Sequence, residues 1–202
     1  MNDGQGHFVN EASARGCGSW TTGPTVVGWG TAFADFDLDR DEDLVFCAFV
    51  NPGHFYENVG SAYFDRITQT VNMNLLGSGL IPFDYDRDGD LDLWIMRTGT
   101  QTSSLYENQS STAGRRWLTV KLRGTTSNSQ GIGAKVWVTS NGVQQLRPIM
   151  GGYSFKVGVA AEAHFGLGST RTVDELKIEW PSGTVQTLTG VGVDQVLEIV
   201  EP

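Results

Sequence analysis

No stretch of the chain approaches the roughly 18 consecutive apolar residues that a membrane-spanning helix requires, and no membrane insertion is expected. The opening residues, MNDGQGHF, carry neither the basic head nor the apolar body of a secretory signal. That speaks against anchoring and leaves secretion open, because signals are removed from mature chains. Cysteine is scarce: Cys17 and Cys47 are the only two, at a spacing that fits no zinc or redox signature. They allow one disulfide in an oxidising compartment, or two thiols packed as small apolar side chains. The three histidines, His7, His54 and His164, are too scattered for a paired zinc motif. Ser154 in GGYSFK lacks the glycine two residues on that a nucleophile elbow needs, and GIGAK and FGLGS complete neither a dinucleotide nor a phosphate loop. Catalysis is not expected.

Positive charge is also short, with 14 Lys and Arg against 23 Asp and Glu. Its placement is uneven. Residues 1–108 hold 16 acidic against 5 basic residues, and residues 109–202 hold 7 against 9. Nucleic-acid binding needs clustered Lys and Arg to displace counterions, so that class of partner is excluded. An acidic half joined to a nearly neutral one fits a binder of divalent cations.

The acidity is concentrated in two stretches that repeat. GTAFADFDLDRDEDLVF (30–46) aligns with LIPFDYDRDGDLDLWI (80–95), and FYENVG (55–60) is echoed by LYENQS (105–110), a period near 50 residues. A third copy of the ending, NDGQGHFVNEAS (2–13), echoes NVGSAYFDRITQ (58–69). Short segments bounded by Gly, Pro, Asn and Asp read as strands over 44–50, 54–58, 91–97 and 104–108. Helical periodicity is hard to find. A period of this length built from β segments is what propeller blades produce, and two blades and a fragment are too few to close a ring.

Each repeat places five aspartates at alternating positions: Asp35, Asp37, Asp39, Asp41 and Asp43, then Asp84, Asp86, Asp88, Asp90 and Asp92. Such crowding costs free energy unless a counter-charge meets it. Calcium takes six to eight hard oxygen ligands, and a tight loop with alternating carboxylates aims several at one ion. One Ca²⁺ per loop, two in all, is therefore expected. The twelfth position is Phe46 or Ile95 rather than Glu, and the flanks are strand-like, so the loops are not EF-hands. The sixth position is Gly89 in the second loop but Arg40 in the first, where a positive φ costs on the order of 1 kcal/mol. Weaker binding is expected at the first loop.

After a polar linker at 110–116 the texture changes. Segments 117–124, 134–140, 143–150, 174–180, 184–189 and 195–200 alternate apolar with polar residues, as half-buried strands do. A β-sandwich or barrel is expected over 117–202. Trp94, Trp137 and Trp180 fall inside strand patterns and read as packing residues. Asn108 opens the sequon NQS, an acceptor for a glycan on a secreted product.

ADFDLDRDEDLVF and FDYDRDGDLDLWI, with YENVGSAYFDRIT, resemble the calcium loops and closing strands of FG-GAP/VCBS repeats, the blades of integrin-α-type propellers. The resemblance implies side-chain ligands at positions 1, 3, 5 and 9, namely Asp35, Asp37, Asp39 and Asp43, and Asp84, Asp86, Asp88 and Asp92. It also implies main-chain carbonyl ligands from Asp41 and Asp90. GRRWLTVKLRGTTSNSQGIGAKVWV, HFGLGSTRTVDELKIEWPSGTVQTL and QVLEIVE resemble the ASPIC/UnbV domain, which follows such repeats in secreted proteins. The expected whole is all-β, with incomplete propeller-like calcium-binding repeats over 1–109. Its expected role is a non-catalytic extracellular or cell-surface module for structure or adhesion. Its expected partners are proteins, further copies of itself stacked head to tail into a filament, or glycans. Two alternatives stay open: a fragment of a larger ligand-binding propeller, and an accessory enzyme of secondary metabolism.

Overall fold

Alternating side chains and frequent turn residues make this chain a succession of antiparallel ribbons, and a computed structural model shows how they stack. It describes residues 4–18, 26–68, 70–97, 99–110, 114–152 and 154–202; part of the linker, residues 111–113, lies outside them. Among the described residues every regular element is a strand. The first repeat is a four-stranded meander of β1 (Gly28–Ala34), β2 (Asp43–Ala48), β3 (His54–Asn58) and β4 (Phe64–Arg66), paired in that order. The second is a three-stranded meander of β5 (Gly79–Phe83), β6 (Asp92–Met96) and β7 (Ser104–Tyr106). Each aspartate stretch is the loop between the first two strands of its sheet.

One core joins the two meanders: Ala32 and Ala34 of β1, Val45 and Cys47 of β2, Phe55 of β3, Leu80 of β5, and Leu93 and Ile95 of β6. The opposite face of β2 and β3 presents Phe46, Ala48 and Tyr56, against which Cys17 packs. Successive residues of a strand point to opposite faces, so Cys47 and Cys17 lie on different sides of the same sheet. The bridge that the cysteine count allowed is not formed. Among its described residues the third sequence copy at the N-terminus builds no strand of its own. Instead Arg15 covers the β3–β4 hairpin: its carbonyl accepts from Phe64 N at 2.9 Å, and its guanidinium donates to Ser61 O and Ala62 O.

The second half is a sandwich and not a closed barrel. One sheet runs β10 (Val143–Pro148), β9 (Lys135–Ser140), β12 (Thr172–Glu179) and β13 (Val185–Gly192); the other runs β11 (Glu162–Gly168), β8 (Arg116–Arg123) and β14 (Gln195–Val200). Their inner faces share a core of Leu118, Val120, Val136, Val138, Phe165, Leu176, Ile178 and Ile199. Trp180 is buried in it, whereas Trp94 and Trp137 are only half-buried. β14 lies parallel to β8, and the other strand pairs are antiparallel. Arg116, assigned to the linker from sequence, is the first residue of β8 and pairs with Asp194 at 2.7 Å.

Candidate metal centres and the seam that covers them

The two aspartate loops are copies in backbone as well as sequence. Positions 4 and 6 take positive φ in both, at Leu38 (62°) and Arg40 (86°) in the first and at Arg87 (65°) and Gly89 (101°) in the second. Arg40 thus adopts the turn that glycine adopts in the partner loop, at the cost expected for a side chain there. Within each loop the carboxylates of positions 1, 3 and 5 converge: oxygens of Asp35, Asp37 and Asp39 lie within 4.8 Å of one another, as do those of Asp84, Asp86 and Asp88.

Position 9 also accepts backbone hydrogen bonds. Asp43 accepts from Phe36 N at 3.1 Å and Asn58 N at 2.9 Å; Asp92 accepts from Tyr85 N at 3.0 Å and Asn108 N at 2.8 Å. These carboxylates tie the loop entrance to the third strand of each sheet, and each oxygen keeps a second lone pair. Asn58 and Asn108, from the shared YEN phrase, are the residues that the ligand pattern alone did not single out. Asn58 Nδ2 donates to Glu42 O at 3.3 Å, while Asn108 Nδ2 donates to Phe36 O at 2.8 Å and Leu91 O at 3.1 Å. Both amide protons of Asn108, the sequon residue, are held in this way, and in the fold it cross-links the two repeats. The side chain of Asp90 is buried, not in solvent, and Arg87 turns away from it.

Packing this charge together has an electrostatic cost. Burial pushes the Asp35 carboxyl up to about 7, with Asp39, Asp37 and Asp43 adding to the effect against the opposing Arg40 N–H. Burial raises Asp43 to about 7 as well, and raises Asp90, flanked by Asp88 and Asp92, to about 7. Asp84 Oδ1 and Asp90 Oδ1 are buried and find no hydrogen-bond partner among the described residues. The first loop has a resident counter-charge, Arg115, which pairs with Asp37 at 2.7 Å and also donates to Asp37 O. Three converging carboxylates, with an unsatisfied buried oxygen on Asp84, fit a hard divalent cation at the second loop. The first loop offers the same donors already partly neutralised.

Strand β11 lies across both loops, and its sequence EAHFGLG explains how. Ala163, Phe165 and Leu167 enter the sandwich core, which turns Glu162, His164, Gly166 and Gly168 to the other face. Glu162 accepts from Arg87 at 2.8 and 3.1 Å, and His164 Nε2 donates to Gly89 O at 2.9 Å. Gly168 N donates to Leu38 O at 2.9 Å. At Gly166 a Cβ would stand 2.0 Å from Asp35 Oδ2, so only glycine admits this approach. Gly89 is similarly fixed, because a Cβ there would meet Trp117 Nε1 at 1.9 Å. Trp117 stacks on His164 with the rings 12° from parallel, and burial holds the His164 ring neutral, down to about 4. Arg147 on β10 adds a contact to Glu42 at 3.4 Å.

Comparison with known proteins finds likeness in both halves of the chain. Residues 124–202 match the family described as ASPIC and UnbV. The ASPIC/UnbV match therefore covers most of the sandwich and begins just after β8, the strand that β11 and β14 flank. Similarity to cartilage acidic protein 1 runs through both halves. The mouse (Mus musculus) protein is 32% identical over 185 residues, and the human (Homo sapiens) protein 26% identical over 183. Both alignments cover 84% of this chain, which spans 28% and 27% of those two relatives.

Proposed function

We propose that the chain is a non-catalytic, extracellular calcium-binding module in which one Ca²⁺ in each aspartate loop stiffens a propeller-type blade and fixes it to the ASPIC/UnbV sandwich. The single observation that carries this reading is the laying of β11 across two loops of matching backbone form, each with three converging carboxylates. Asp84, Asp86 and Asp88 would hold the ion at the second loop, and Asp35, Asp37 and Asp39 at the first. The ion supplies charge neutralisation and a fixed loop shape. Extracellular modules bind calcium at about 10⁻⁴ to 10⁻³ M, the range proposed for these loops. The name of the relatives, an acidic protein of cartilage, agrees with an extracellular setting and with the excess of acidic residues here.

Calorimetric titration of chelator-treated protein tests the proposal. Two binding events are expected, one removed by Asp84→Asn and the other by Asp35→Asn. Absence of heat and of any thermal shift at several millimolar Ca²⁺ would sink it.

Protein partners or further copies of the chain are the proposed company of this module. Trp29, Phe49 and Phe155 form an exposed aromatic group, with ring centroids 5.8 and 4.5 Å from Trp29, and Phe33 and Val50 are also exposed. Apolar exposure of this kind supports contact with another protein surface. Sedimentation with and without chelator reads it directly: calcium-dependent high-order species are expected from head-to-tail stacking, and a monomer at high concentration argues against it.

A further inference from the structure

Between the aspartate loops and the sandwich lies a cavity of about 490 Å³, in the size range of small-molecule sites. Its walls are mainly apolar, including Ala32, Ala34, Pro82, Leu91 and Met150. Two polar atoms stand out against them. Thr119 Oγ1 and His164 Nδ1 are both buried and find no hydrogen-bond partner among the described residues. Thr119 and His164 are directly opposed in the β8–β11 pair, so their side chains leave the sheet on one face, toward the cavity that both line.

The chemistry of that pair is fixed by its surroundings. Gly89 O has no proton to give, so His164 Nε2 is the donor of their 2.9 Å bond. In the neutral ring Nδ1 then keeps a bare lone pair that asks for a donor. The Thr119 hydroxyl beside it both donates and accepts. The two guanidinium groups in the wall are already engaged, Arg87 with Glu162 and Arg147 with Glu42. With Asp35 and Asp84 also in the lining, an anion is disfavoured.

We propose that this cavity binds a small, uncharged, mainly apolar molecule whose hydroxyl group donates to His164 Nδ1 and shares a hydrogen bond with the Thr119 hydroxyl. The site adjoins the calcium centres, whose Asp35 and Asp84 line it, but its recognition atoms, on Thr119 and His164, belong to the sandwich.

Phenol is a suitable probe for the full chain, and toluene is a control of similar shape without the donor. Long-range ¹H–¹⁵N NMR of His164 is expected to show a saturable movement of the Nδ1 resonance with phenol and none with toluene. Thr119→Val should weaken phenol about fivefold, the scale of one net hydrogen bond, and leave toluene unaffected. Ala160→Trp, at the exposed rim, should block both probes without touching the core. Equal binding of phenol and toluene with Nδ1 unmoved would reduce the cavity to an apolar void and overturn the proposal. So would a water bridging Thr119 and His164 that persists at saturating phenol.

Discussion

Arg87 reaches out of the second aspartate loop and grips Glu162 of β11 with both terminal nitrogens, at 2.8 and 3.1 Å. Hydrogen bonds from Arg87 hold the Glu162 carboxyl below the usual carboxylate range. The Arg87 side chain is 48% exposed, so solvent limits the pair to about 1 kcal/mol. Because the folded value lies below the ordinary 4.5, this contribution is present above pH 4.5 and lost as the pH falls through the depressed value. Denaturant midpoints of wild type and Glu162→Gln should therefore differ at pH 7 and converge in acid.

Calcium should bind the two loops unequally. Arg115 already sits on Asp37, and Arg40 holds a positive φ that Gly89 holds without strain. Isothermal titration is expected to resolve a tighter event at the Asp84 loop and a weaker one at the Asp35 loop. Arg40→Gly should bring the weaker event toward the stronger. Saturation at one hundred times Kd adds about 2.7 kcal/mol per site to stability, visible as a calcium-dependent rise in melting temperature.

Asn108 should remain unmodified when the chain is secreted from a glycosylating host. Its amide protons are spent on Phe36 O and Leu91 O, the first of which ties the end of the second repeat to the first loop. Intact-mass measurement should show no added hexose at this sequon. Asn108→Ala leaves two carbonyls without that donor and should destabilise by about 1–3 kcal/mol in a chemical melt.

Glu201 closes the sandwich by accepting from three consecutive backbone N–H groups, Thr125 and Thr126 at 2.8 Å and Ser127 at 2.7 Å, and from the hydroxyls of Ser127 and Ser182. Burial works against the charged form, but these donors, Ser182 and Ser127 foremost, bring the carboxyl down to about 2. Its stabilisation is thus complete above pH 4.5 and is lost as the pH falls through 2. Glu201→Gln should lower the melting temperature at neutral pH and shrink that deficit in strong acid.

The cysteines should behave as two separate thiols. Cys47 is fully buried and burial raises its thiol above the ordinary value, so it should resist alkylation until the chain unfolds. Reductant should leave the melting temperature unchanged, and thiol counting in denaturant should return both.

Much of this arrangement is legible in the sequence because charge and periodicity coincide. The ten aspartates mark both loops, and alternating segments mark β2, β3, β6 and most of the sandwich. β1 escaped because its pattern is inverted: Gly30, Ala32 and Ala34 face inward while Trp29 and Phe33 are exposed. β11 escaped for a related reason. Its outward residues, Glu162, His164, Gly166 and Gly168, are chosen to meet the loops and not water, and their spacing means little until those loops are in place. Asp43 and Asp92 look like the other aspartates in sequence. The backbone hydrogen bonds they accept depend in part on amides of Asn58 and Asn108, contributed 15 and 16 residues further on.

The parallel pairing of β8 with β14 joins the first strand of the sandwich to its last, with Leu118 beside Gln195 and Arg123 beside Val200. During synthesis β8 leaves the ribosome long before its neighbour exists, and one flank of it waits with unpaired N–H and C=O groups until residues 195–200 arrive. Closure of so long a loop is slow relative to local hairpin formation. The sandwich therefore completes late, and in the meantime the exposed flank of β8 is where a chaperone would have most to protect.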